Sequence, residues 1–349
     1  MMGTPGVARS VLALALTVVA LVPTAPMVGS APMLQADPDV VVRITSPEQN
    51  QSVQGQIEIT GYAADRRSEE GSGFNENDVQ LYLNDPTDPR NLFAITSPTS
   101  QRLRQDSPDA AAALGPQFSA VGFRFYWQTC AFPPGRYTLT LFVSSLVVPG
   151  ARNSASRDVE VAPCAPGTPL VQNDLTTRPS RLLRLDQPGW RTTWLDSATW
   201  GDIAVGIDAR CRVADTCIYE LGLRGQTNPA HDFEFAGYEL RVDPSRGQWG
   251  FGYAEPGQYT PLLPASESPA IHRGAVPNRL GVIAQGDHWQ LFINGEPVGE
   301  VHDDRRRWGG VWWGANTGLT DRGVEVEFGN YVLTTPGPPE LLAGVLRGE

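Results

Sequence analysis

The stretch His288-Trp-Gln-Leu-Phe-Ile-Asn-Gly-Glu-Pro-Val-Gly-Glu-Val-His302 decides the fold. It reads as two strands joined at Asn294-Gly295, because both turn residues tolerate the positive φ of a type I′ hairpin. A two-residue turn sets the register. It places His288 opposite Val301, and Asp287 opposite His302. Successive side chains on a strand point to opposite faces, so His288 and His302 fall on opposite sides of the hairpin unless a bulge intervenes. His231 and His272 have no neighbours at ligand spacing, so no histidine-based metal site is expected.

Outward from this hairpin the pattern stays β. Asp202–Arg210 and Ile218–Arg224 read as paired strands, as do Tyr238–Val242 and Gly247–Tyr253. Arg279–Ala284 precedes the hairpin; Gly310–Trp313 and Val324–Phe328 follow it. About ten strands with no credible helix, over 173–335, predict a jelly-roll sandwich. The first half, 38–164, alternates with period two in six or seven short runs, from Val40–Thr45 to Val159–Val161. That spacing predicts an immunoglobulin-like sandwich. One helix is expected inside it, with Ser107 as cap, Pro108 in the first turn and Gly115 as terminator. The Pro- and Gly-rich segment 165–172 reads as a linker, and 336–349 as a flexible tail. The fold class is therefore all-β, two sandwiches in series.

Two family resemblances fit this division. Ile44-Thr-Ser-Pro47, Val53-Gln-Gly55, Ile59-Thr-Gly-Tyr-Ala-Ala-Asp65 and Phe132-Pro-Pro-Gly-Arg-Tyr-Thr138 resemble a bacterial immunoglobulin-like domain. That resemblance implies a spacer or presentation module. Arg279-Leu-Gly-Val282, the hairpin above, Gly309-Gly310 and Val326-Glu-Phe-Gly-Asn330 resemble a concanavalin A-like lectin/glucanase domain. The likeness is nearest to its laminin G-like and 3-keto-disaccharide hydrolase branches. It implies a two-sheet jelly roll that binds sugars or proteins, sometimes with calcium, and that in some branches cleaves glycosidic bonds.

Composition narrows the partners. Among 349 residues there are 36 Gly and 30 Pro, which suits many short strands and turns. The net charge is −11, and all 27 basic residues are Arg. An acidic chain without a basic run repels phosphates, so nucleic acid is not an expected partner. Arg9, the apolar run Val11–Val22 and the small residues after Pro23 read as an export signal within a 1–36 leader, with no membrane span after cleavage. Export places the chain outside the cell or at its surface, where disulfides persist. Four cysteines allow three pairings. Cys211 and Cys217 flank a five-residue hairpin tip and are paired on that ground, which leaves Cys130 for Cys164.

Candidate chemistry lies in the second half, which holds eight of the nine Trp. Sugars present apolar C–H faces that stack on aromatic rings, so Trp249, Tyr253, Trp308 and Trp313 are the expected ligand-binding residues. Glycoside cleavage usually needs two carboxylates, roughly 5–5.5 Å apart for retention or 6.5–9.5 Å for inversion. Glu325 and Glu327 share a strand face with Cα atoms roughly 6.5 Å apart and are the alternative catalytic pair. Their neighbours Val324, Val326 and Phe328 favour a solvated Glu face over catalysis. Asp287, Asp303, Asp304 and Asp321 are candidate oxygen ligands for calcium, the one cofactor in view. No Gly-x-Ser-x-Gly elbow and no Lys-bearing phosphate loop occur. The expected role is non-catalytic recognition of extracellular carbohydrate or surface polymer. A glycoside-processing enzyme and a structural adhesion protein are the alternatives.

Overall fold

The computed structural model describes residues 36–348. Segments 76–77, 85–91, 95–100, 171–180, 195–198, 213–216, 229–233 and 318–322 are outside the description. The export signal, His231 and Asp321 lie outside the described residues.

The first half contributes β1 (Val40–Ser46), β2 (Gln51–Val53), β3 (Gln56–Asp65), β4 (Val79–Asn84) and β5 (Leu92–Ala94). β6 (Gln101–Gln105), β7 (Gly122–Gln128), β8 (Gly135–Ser144) and β9 (Arg152–Val161) complete it. One sheet runs β1-β3-β7-β6 and the other β2-β9-β8-β4-β5. β2 pairs parallel to β9, and the remaining ladders are antiparallel. This is the strand order of an immunoglobulin sandwich. Tyr137 on β8 donates its hydroxyl to the Pro133 carbonyl at 2.8 Å, the corner bond typical of that fold. Trp127, Phe125, Leu139 and Leu141 fill the space between the sheets. The expected helix is α1 (Pro108–Leu114), with Ser107 Oγ accepting from the Ala110 amide at 3.3 Å.

The second half begins with β10 (Arg181–Leu185), β11 (Trp190–Trp194), β12 (Ile203–Cys211), β13 (Ile218–Asn228), β14 (Glu234–Asp243) and β15 (Gln248–Glu255). It continues with β16 (Gln258–Glu267), β17 (Asn278–Gln285), β18 (His288–Ile293), β19 (Glu296–His302), β20 (Gly310–Asn316) and β21 (Val324–Thr334). Two six-stranded antiparallel sheets result: β10-β21-β12-β17-β18-β19 and β11-β20-β13-β14-β15-β16. Asn294 and Gly295 take φ of 54° and 81°, as the hairpin signal requires. Both disulfides, Cys130–Cys164 and Cys211–Cys217, are formed as expected.

Two expectations are corrected. The tail is packed. α2 (Ala343–Leu346) seats Leu342, Val345 and Leu346 on Ala204, Ile283 and Phe292, on the outer face of the first six-stranded sheet. Arg279, 4% exposed, ties it down by donating to the Val345 and Gly344 carbonyls at 2.8 and 3.1 Å. The terminal segment stays put because three apolar side chains leave water together, each contributing on the order of 2 kcal/mol. The linker is also docked. The Leu170 amide donates to the Leu333 carbonyl at 3.0 Å, and the Thr168 amide to Thr335 Oγ1 at 2.8 Å. Residues 36–349 consequently form one unit, with Phe132 of the first sandwich stacked on Trp308 of the second at 5.4 Å.

Candidate functional site

The second six-stranded sheet carries the site on its outward face. Along β13, Tyr219, Leu221 and Leu223 point into the core, which turns Glu220 and Gly222 outward. The same alternation on β14 buries Tyr238, Leu240 and Val242 and turns Gly237, Glu239 and Arg241 outward. On β20 it buries Val311, Trp313 and Ala315 and presents Gly310, Trp312 and Gly314. Gly250 and Gly252 continue this outward row on β15. The result is a floor of glycines on which large rings lie flat. A Cβ on Gly222 would sit 1.8 Å from Trp312 Cε2, and one on Gly237 2.6 Å from Cη2. Trp194 on β11 covers Trp312 with ring centroids 5.6 Å apart.

At the centre are two carboxylates that share one guanidinium. The β13–β14 register sets Glu220 opposite Arg241 and Gly222 opposite Glu239. Arg241 Nε lies 3.5 Å from Glu220 Oε2, and its terminal nitrogen pairs with Glu239. Trp190 donates its indole N–H to Glu220. The Arg241 guanidinium stands 4.2 Å over the Tyr259 ring, and Tyr259 in turn lies over Gly252. Both carboxylates are 1% exposed. Burial pushes the Glu220 carboxyl well above the usual carboxylate range, and the negative charge of Glu239 adds to that. Burial raises Glu239 as well, against the pull of Arg241. Trp190 and Tyr259, by contrast, are 43% and 37% exposed and flank this centre. The face thus offers two accessible rings, a guanidinium, and a carboxyl group that holds a proton more tightly than usual.

None of the four aromatic residues expected from sequence is accessible. Trp249, Tyr253 and Trp313 point into the core from β15 and β20, and Trp308 is covered by Phe132. In the Trp312–Trp313 pair the outward member is Trp312, because Val311 and Ala315 share the inward phase of Trp313. The residues that make up this face, Glu220, Glu239, Arg241, Trp190 and Tyr259, are not among those expected from sequence. Tyr219-Glu-Leu-Gly222 and Tyr238-Glu-Leu-Arg241 each carry an acid in phase opposite to the apolar residues, the signal that was available.

Glu325 and Glu327 share the outer face of β21, as the alternation requires, but arginines of neighbouring strands neutralise them. Glu325 is 3.4 Å from Arg184, and Glu327 is 2.5 and 3.2 Å from Arg210 and Arg212. The calcium acids do not converge. Asp303 accepts from the Tyr238 hydroxyl at 2.6 Å, Asp287 meets His302 at 3.2 Å, and Asp304 forms no shared ligand cluster with either among the described residues.

The hairpin register departs from expectation by one residue. Ile293 and Phe292 pair with Glu296 and Pro297, but beyond a bulge at Val298 Leu291 pairs with Gly299. His288 therefore faces His302 directly, and the two rings stack 4.7 Å apart on one side of the hairpin.

No family model matches the chain, and no curated protein matches it. Solved structures similar in fold include a carbohydrate-binding module from Bacillus subtilis, at 18% identity over 43% of this chain and 98% of that one, with TM-score 0.33. A Bacillus subtilis protein of unknown function with a galectin-like fold aligns at 13% identity over 49% and 97%, with TM-score 0.39. A Bacillus licheniformis β-glucanase aligns at 8% identity over 57% and 79%, with TM-score 0.32.

Proposed function

We propose that this chain is an exported carbohydrate-recognition protein that binds its ligand on the outward face of β11-β20-β13-β14-β15-β16. The observation that carries this reading is the pair of half-exposed rings, Trp190 and Tyr259, on either side of the Glu220–Arg241–Glu239 centre. Pyranose C–H faces stack on such rings, and the guanidinium offers donors to hydroxyls. The glycine floor lets Trp312 and Tyr259 lie close against the sheet, which fixes Tyr259 at the rim of the face. Two disulfides and the apolar run behind Arg9 support export.

The experiment incubates the mature protein with soluble and insoluble polysaccharides and follows protein depletion and sugar release in the same tubes. Depletion without release is expected. Trp190→Ala and Tyr259→Ala should each weaken binding by at least about tenfold, since truncating an anchoring aromatic typically costs about 2 kcal/mol or more. Binding that survives both substitutions would sink the reading.

A second reading is glycoside hydrolysis, favoured by one observation: Glu220 is a buried acid with a raised pKa beside a second carboxylate. It requires sugar release that Glu220→Gln abolishes. Against it, both carboxylates are closed off by Arg241 and the surrounding rings.

A further inference from the structure

The β18–β19 hairpin is the edge of its sheet, and its outer side gathers His288, His302 and Glu300. We propose that these three side chains bind one borderline divalent transition-metal ion, of the Zn2+ or Cu2+ class. The bulge at Val298 creates the site. With the uninterrupted register of an Asn-Gly hairpin, His302 would lie on the far side with the core residues. One extra residue returns it to the side of His288. Glu300 lies opposite Gln290, two residues along from His288, and so belongs to the same face.

The geometry suits a small ion with nitrogen ligands. One ligand atom from each side chain lies within 4.8 Å of the others, and His288 Nε2 is 2.6 Å from Glu300 Oε1. Ligand atoms about 2.0–2.2 Å from a tetrahedral Zn2+ lie roughly 3.4 Å apart, so modest side-chain rotation closes the set. Two imidazoles and one carboxylate are a donor set for zinc or copper, whereas calcium takes six to eight oxygens. Asp287 Oδ2 stands 3.2 Å from His302 Nδ1, where an outer carboxylate orients a metal-binding imidazole.

The backbone beneath is held in place. Trp289, fully buried behind the site, donates to the Asp303 carbonyl at 3.1 Å. The Asp303 amide donates to the Asp287 carbonyl at 2.8 Å, and the Gly286 amide to Asp202 at 2.9 Å. Two strands and a tied turn therefore present the ligands, which limits the ordering needed when an ion binds. Three protein ligands leave at least one position of a four-coordinate ion open to solvent.

The test is calorimetric titration of the mature protein, free of any polyhistidine tag, with ZnCl2 and separately with CaCl2. One Zn2+ per chain is expected at micromolar affinity or tighter, with no Ca2+ competition. His288→Gln and His302→Gln should each weaken Zn2+ binding at least tenfold, while His272→Gln should leave it unchanged. Near-UV circular dichroism checks that each variant keeps the parent fold. The electron paramagnetic resonance spectrum of the Cu2+ form should show hyperfine coupling to two imidazole nitrogens. Absence of stoichiometric Zn2+ binding in the parent, binding retained in both the His288 and His302 variants, or a Cu2+ spectrum with oxygen ligands alone would overturn the proposal.

Discussion

Glu220 shows how one side chain links the face to solution conditions. Its ionised form is penalised by burial and by Glu239, so its folded pKa lies above its unfolded one. A raised acid contributes stability at low pH and loses it as pH climbs through the folded value. Glu220→Gln removes that loss. The variant should melt higher than the parent above neutral pH, with a gain that grows from pH 5 to pH 9. Parallel melting profiles across that range would contradict this account. Trp312 and Trp313 hold a similar lesson. Their opposite orientations follow from alternation; the phase of Val311 and Ala315 turns Trp313 into the core and sets Trp312 on the outward face, where Trp194 covers it.

Among the elements, the tail and the hairpin are where local reading failed. Gly206 on β12 lets the tail approach closely, because a Cβ there would sit 1.9 Å from the Val345 carbonyl oxygen. Gly206→Val should displace Leu342, Val345 and Leu346 and destabilise the protein by about 1–3 kcal/mol. It should also make the last residues protease-sensitive, which limited digestion with mass spectrometry would detect. An undigested tail at parental stability would refute the packing argument. β16 was missed for a related reason. Pro261 and Pro264 argue against a strand interior, yet β16 is a sheet edge, where a missing N–H is tolerated. β16 carries Tyr259.

For the whole molecule, the two sandwiches share apolar packing. Phe132 stacks on Trp308, and the Asp202 amide donates to the Ala131 carbonyl at 2.7 Å. Arg224, wholly buried, braces the second side of this junction. It donates to the Gly286 and Arg306 carbonyls at 2.7 and 3.0 Å and lies 4.6 Å from the Trp289 ring. The protein should therefore unfold in one calorimetric transition. Phe132→Ala should cost about 3–5 kcal/mol and split the melt into two, because the cavity opens where the sandwiches meet. A variant that melts in one parental transition would show that the junction is not coupled through these rings.

The sequence by itself determined the central strands of both halves, the Asn-Gly turn, the capped helix, both disulfides and the all-β class. Each depends on local periodicity, on backbone conformations that few residues accept, or on a small number of pairings. Only the tertiary structure decided which residues meet. Glu220 and Glu239 lie on different strands, and their shared guanidinium depends on the β13–β14 register. His288 and His302 are brought together by a single bulged residue that no local propensity marks. Register is set by the fit of whole sheets, where one residue of slip exchanges every inward side chain for an outward one.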